Sequence, residues 1–252
     1  MQSYYIDYLG AKLHYQVGGK ENSPILVLLH GGFGSIDDFT ALMPVLAQQF
    51  RLVAIDTRGH GGSTLGNVAL SYAQATDDVR YILHQLNITK CSLLGFSDGG
   101  TIAYRLGLTE SSIEKIITIG AHWHQDNLRE IRQMFEKLDV MFVSKNMPEQ
   151  LEKYLTKNPQ VNLEKWVDSL KSMWLDENES GYPNERIAQI KAHVLAVRGE
   201  SDFLLSLADM AELQQYLPDV HLMNLPFAAH EVIKEQPKLL WEAIQTFFNY
   251  KG

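Results

Sequence analysis

Short, largely apolar runs alternate along this chain with longer stretches in which apolar residues recur every three or four positions. Residues 25–29, 51–55, 91–94, 115–119, 193–197 and 220–225 are of the first kind and predict strands. Runs with no polar face belong to strands covered on both sides, as in a parallel sheet. Residues 36–48, 72–86, 206–217, 236–248 and the stretch beginning at Gly100 predict helices; in the second of these Val79, Ile82, Leu83 and Leu86 share one face. Residues 4–17 alternate around Gly10 instead, predicting an antiparallel pair of strands with a turn at Leu9-Gly10-Ala11-Lys12, and residues 18–24 read as a loop.

The alternation stops between residues 121 and 190. That block has no strand pattern and predicts helices over 126–142, 149–156 and 163–174, parted by Asn146-Met147-Pro148 and Asn158-Pro159. The expectation is therefore an α/β core from residues 1–120 and 191–252, its mostly parallel sheet covered on both faces by helices. Residues 121–190 would form a helical lid inserted into it. Ligands of such sheets sit at the carboxyl ends of the strands.

Composition narrows the function. At 252 residues the chain suits one domain with an insertion, and its net charge of −8 comes from scattered acids, which argues against a nucleic-acid or anionic-membrane partner. Cys91 is the only cysteine and lies in an apolar strand, so a buried structural thiol is expected. No leader pattern or membrane-length apolar run is present, and the expected location is cytoplasmic. Nothing in the chain indicates an oligomeric state.

Candidate chemistry centres on Gly95-Phe96-Ser97-Asp98-Gly99, between a strand and a helix. A nucleophilic serine needs its hydroxyl clear of the backbone, a base beside it, and donors aimed at the oxygen that will carry charge. A sharp turn at Ser97 meets the first need, and glycines at 95 and 99 remove side chains that would collide across it. The helix start adds unpaired N–H groups, so the amide of Asp98 is one expected oxyanion donor. The second is the amide of Phe33 in the glycine-rich turn His30-Gly31-Gly32-Phe33-Gly34-Ser35, with Gly32 as the substitute.

Among nine histidines, His230 is the expected base because it follows the last strand at the correct sheet edge. Asp202, after the preceding strand, is the expected acid that orients it, with Glu200 its rival; the order serine, acid, histidine suits this arrangement. His30 is expected to support its loop, and Asp56 and Arg58 to be structural. Gly32, Asp98, His122 and Trp123 are the expected substrate contacts. Phe135, Met134, Met141, Phe142, Trp166, Met173 and Trp174 supply further apolar candidates for a cavity roof. His122-x-His124 has metal-pair spacing but no accompanying ligand cluster, so neither a metal nor a cofactor is expected.

The ordered set HGGFGS, DTRGHGGS, GFSDGG, GESD and AAH resembles the α/β-hydrolase superfamily along essentially the whole chain. That resemblance implies an eight-stranded sheet with strand two antiparallel, a helical cap between strands six and seven, and a triad of Ser97, Asp202 and His230. Within the superfamily, the aspartate following the serine is similar to the valacyclovir hydrolase, or biphenyl-hydrolase-like, group. There such an aspartate is associated with the α-amino group of amino-acid esters. The expected activity is thus cofactor-free serine hydrolysis of a small carboxylic ester, an amino-acid ester among them, or of a related thioester or lactone. Two other readings compete. One is a ligand sensor that retains the triad. The other is a nucleotide-dependent oxidoreductase, with Gly32-x-Gly34 opening a helix and Asp56 at a ribose.

Overall fold

The computed structural model describes residues 1–250. Eight strands form one sheet: β1 (Gln2–Tyr8), β2 (Ala11–Gly19), β3 (Ile25–Leu29), β4 (Arg51–Ile55), β5 (Cys91–Phe96), β6 (Ile113–Ile119), β7 (His193–Gly199) and β8 (His221–Leu225). Their order is β1-β2-β4-β3-β5-β6-β7-β8. β2 pairs antiparallel with both its neighbours, and every other pairing is parallel. This is the expected eight-stranded α/β sheet. The apolar runs of β3 to β7 are buried as predicted except at their first residues, most completely in β5, where all six residues are buried, whereas β8, at the sheet edge, is not covered on both faces and leaves Leu222 and Asn224 exposed. Side chains alternating along these strands feed two separate cores, one on each face; Val27 and Leu29 enter one, Leu26 and Leu28 the other.

The described residues also form ten α-helices: α1 (Met43–Leu46), α2 (Tyr72–Gln85), α3 (Asp98–Thr109), α4 (Arg132–Glu136), α5 (Val140–Asn146), α6 (Pro148–Lys157), α7 (Leu163–Trp174), α8 (Leu207–Tyr216), α9 (Val232–Glu235) and α10 (Pro237–Asn249). Ser71 caps α2 by accepting from the amide of Gln74, which explains its sharp start. No helix is long and apolar enough to cross a membrane among the described residues.

Two predicted helices are broken. Residues 36–48 divide into a 3-10 turn at Ile36–Phe39 and the short α1, where Pro44 enters at the first turn. Residues 126–142 divide into a 3-10 turn at Gln125–Leu128, α4 and the start of α5, because the Asp139 side chain accepts from the amide of Phe142 and begins a new helix. Strand β2 also runs on to Gly19, into the expected loop. Residues between β6 and β7 hold α4 to α7 and no strand.

Arg58 anchors the loop after β4 from inside the protein. It is wholly buried, bonds both oxygens of Asp78 at 2.7 and 2.8 Å, and donates to the carbonyls of Tyr8, Leu9 and Leu65. Asp56 is equally committed, accepting from His14 Nδ1 at 2.7 Å and from the amides of Ile36 and Gly62. With every oxygen spent and 3% of its surface exposed, Asp56 has nothing to offer a ribose. Cys91 is the expected buried thiol, and burial pushes it up to about 12.

Candidate active site

The turn from β5 into α3 is as tight as its glycines suggest. Ser97 adopts φ 50° and ψ −117°, a left-handed conformation costly for a residue with a side chain. It is held there by its amide, which donates to Ile119 O at 2.8 Å, and by its carbonyl, which accepts from the amides of Gly100 and Thr101. A side chain at Gly99 would run into the carbonyl of Leu29, and one at Gly95 into Gly99 itself. Close packing of β3, β5 and α3 therefore forces Ser97 outward.

Ser97 lines a cavity of about 340 Å³ together with His230, Asp98, Gly32, Phe33 and His122. Its remaining walls are mostly apolar: Phe96, Met134, Phe135, Leu138, Phe142, Met147, Trp174, Tyr182, Phe203 and Leu204, with Tyr72, Asn146, Gln150 and Glu231 as the polar additions.

His230 Nδ1 lies 3.1 and 3.0 Å from the two oxygens of Asp202. Two further donors fix that carboxylate, the amides of Leu204 at 2.9 Å and Leu205 at 3.2 Å, both to Oδ1. Burial would raise Asp202, but His230 and these amides outweigh it and hold the carboxyl below its ordinary value. Glu200, the rival acid, is exposed and accepts only from the amide of Phe227 among the described residues. The acid and histidine loops are tied by Ser201 N to Ala228 O at 2.9 Å and Glu200 N to Leu225 O at 2.7 Å. At the end of β6, Gly120 keeps room for the pair, since a side chain there would come within 2.8 Å of the His230 ring. Ser97 and His230 share the cavity, and no hydrogen bond joins them among the described residues.

Like Gly32 N beside it, Phe33 N, in a left-handed conformation with φ 58°, lacks an acceptor among the described residues, and so does Asp98 N, the first amide of α3. All three belong to residues that line the cavity. His30 supports the first loop, its Nδ1–H donating to Gly31 O and its Nε2 accepting from Thr57 N.

The Asp98 carboxylate does not stand free. Oδ1 accepts from Tyr72 OH at 2.7 Å, and both oxygens accept from Trp174 Nε1, at 3.0 and 2.8 Å. Burial pushes its carboxyl above the ordinary value, against the pull of these donors. His122 is turned by a 2.8 Å hydrogen bond from Nε2 to Leu204 O, and burial lowers its basicity. His124 points elsewhere, capping the 3-10 turn and approaching Glu185, so the two histidines do not converge.

Trp123 is a correction. It was expected at the substrate, yet it is fully buried away from the cavity, with its indole N–H donating to Asp209 O and its ring against Tyr216. Trp166 and Met173 likewise pack inside the helical block, and Met141 faces solvent, whereas Met134, Phe135, Phe142 and Trp174 do form the roof. Tyr72 and Tyr182 were missed, for nothing in their local pattern separates them from ordinary core residues. Phe203 had a signal, its place directly after Asp202.

Comparison with known proteins agrees with this architecture. The sn-1-specific diacylglycerol lipase ABHD11 of Danio rerio is 28% identical over 265 residues, covering 91% of this chain and 80% of that protein. The 3-oxoadipate enol-lactonase 1 of Acinetobacter baylyi is 27% identical over 247 residues, covering 91% and 90%. A solved thermophilic esterase from Thermogutta terrifontis superimposes with a TM-score of 0.74 at 18% identity, over 99% of this chain and 98% of that one. The family model of the alpha/beta hydrolase fold matches residues 24–173, more than half the chain and including the Ser97 turn, and the chain belongs to that family.

Proposed function

We propose that this protein is a serine hydrolase that cleaves small, predominantly apolar carboxylic esters, or the related thioesters and lactones, through an acyl-enzyme on Ser97. The observation that carries this reading is the convergence on one cavity of a strained, outward-turned serine, a histidine oriented by a buried carboxylate, and the idle amides of Phe33 and Asp98.

In this reading His230 Nε2 takes the Ser97 proton as Oγ attacks the carbonyl carbon. Asp202 holds Nδ1–H and stabilises the imidazolium that forms. The resting hydrogen bond between nucleophile and base is often long in such sites and tightens with substrate. Charge developing on the carbonyl oxygen is received by Phe33 N–H and Asp98 N–H. Each such donor is typically worth about 2.7–4 kcal/mol of barrier. His230 then protonates the departing alkoxide, and water repeats the cycle on the acyl-enzyme. The helices between β6 and β7 act as a lid whose apolar side chains receive the acyl group. Because the Asp98 oxygens already accept from Tyr72 and Trp174, a neutral ester suits the cavity better than an amino-acid ester.

Turnover of p-nitrophenyl butyrate by the wild-type protein and by Ser97→Ala tests the reaction. Loss of at least about a thousandfold in kcat is expected from the serine's role as nucleophile. Retained turnover in Ser97→Ala overturns the reading. A valine ester and its counterpart without the amino group test the substrate class. A preference below about threefold is expected, and about tenfold or more for the amine would restore Asp98 as an ammonium site.

A further inference from the structure

A single indole touches both segments that carry the idle amides. Trp174, the last residue of α7, donates from Nε1 to the Asp98 carboxylate at 2.8 and 3.0 Å. Its ring also meets the Phe33 ring edge-on, with centroids 5.3 Å apart and planes at 84°. It lies so close to Gly32 that a side chain there would come within 2.6 Å of Trp174 Cζ2. The residue is itself fixed from behind: Tyr182 OH donates to its carbonyl at 3.0 Å, and Phe135 packs on its ring at 4.7 Å.

This arrangement answers a difficulty of having an aspartate beside the nucleophile. A carboxylate on the first residue of a helix is drawn to the unpaired N–H groups and positive dipole end there. Were the Asp98 side chain to fold back, its own anion would compete for the amides that an incoming oxyanion needs. Trp174 Nε1 and Tyr72 OH hold both oxygens away from the helix start. The Phe33 contact holds the opposite side of the same gap.

We infer that Trp174 is a positioning residue for transition-state charge: from the helical block it keeps the Asp98 carboxylate off the helix N-terminus and the Phe33 segment in register, so that both amides remain open. The inference rests on the serine hydrolase reading. It adds that docking of the helical block, through one indole, completes the oxyanion site as well as roofing the acyl pocket.

The test is steady-state hydrolysis of p-nitrophenyl butyrate by Trp174→Phe, Tyr72→Phe and Trp166→Phe, with circular dichroism to check folding. Trp166 lies on the same helix and also meets the Phe33 ring edge-on, at 4.9 Å, but its indole N–H has no partner among the described residues, so its replacement controls for helix packing and the aromatic contact and isolates the hydrogen bond to Asp98. Trp174→Phe is expected to lower kcat by about 10–100-fold with KM within about threefold, the signature of an interaction made only in the transition state. Tyr72→Phe should shift kcat in the same direction by about 3–10-fold, and Trp166→Phe should stay within about twofold. A rise in KM alone for Trp174→Phe would make it a pocket wall and overturn the inference. Equal losses in kcat for both tryptophan variants, or no change in either, would overturn it too. If Trp174→Phe does not fold, Tyr72→Phe decides: an unchanged kcat overturns the inference and the expected fall supports it. Failure of the parent reading looks different, because Ser97→Ala would then retain the wild-type rate.

Discussion

Replacing Asp202 by asparagine should disable the site by moving one proton. In the wild-type protein Oδ1 takes two backbone amides, Leu204 N at 2.9 Å and Leu205 N at 3.2 Å, besides its contact to His230 Nδ1 at 3.1 Å. The asparagine side chain has only one acceptor oxygen, and the two amides cannot turn away. The carbonyl therefore stays beneath them, and the NH2 group occupies the Oδ2 position, 3.0 Å from His230 Nδ1. Two donors cannot face each other, so Nδ1 must accept and the ring proton shifts to Nε2, the atom needed to receive the Ser97 proton. The loss from a wrong tautomer in such a triad is about 10³–10⁴ in kcat, or about 4–5.5 kcal/mol of barrier. KM should stay within about threefold because the cavity wall keeps its shape. Initial rates on p-nitrophenyl butyrate measure both constants. Glu200→Gln is the comparison, expected within about twofold since that side chain is exposed. An Asp202→Asn protein that keeps more than about a tenth of kcat, or a Glu200→Gln protein that loses it, would refute the assignment of the acid.

Two predictions concern the scaffold. Arg58→Met leaves Asp78 buried without its ion pair, which typically costs about 3–5 kcal/mol; at about 2–4 °C per kcal/mol, calorimetry should find Tm lowered by about 6–20 °C. A shift under about 2 °C would show that the pair is not holding the loop. His60 tests the pH dependence: burial, then the neighbouring His30, push its imidazole down to about 3, and its Nε2 has no partner among the described residues. The unfolded chain takes up this proton near pH 6.5 and the folded one does not, so stability is full above about 6.5 and falls toward pH 3 by up to about 1.4 kcal/mol per unit. Tm measured from pH 7 to 4 should fall less steeply in His60→Gln, and parallel slopes would contradict this; Asp202, held low, weakens the fold only at more acid pH.

Elements whose hydrophobic pattern is local are legible in the chain itself. The six apolar runs became β3 to β8, and α2 and α7 begin and end within a residue of their predicted bounds. Ser97, His230 and Asp202 were legible because each follows a strand at the same sheet edge, a relation fixed by topology once the strands are identified. Breaks within residues 36–48 and 126–142 were not, since a capping side chain or a first-turn proline starts a new helix without disturbing the apolar spacing.

The sequence by itself determined the α/β alternation, the sharp turn at Ser97 and the side of the sheet on which Ser97, Asp202 and His230 gather, because strand burial and glycine sterics are properties of neighbouring residues. Tertiary structure alone decided which members of an apolar, aromatic-rich block face the cavity. Trp123 and Trp174 are indistinguishable as letters, yet one bonds Asp209 in the core and the other bonds Asp98 beside Ser97. Their partners lie 86 and 76 residues away in the chain, and contacts of that range arise only when the helical block packs down on the sheet.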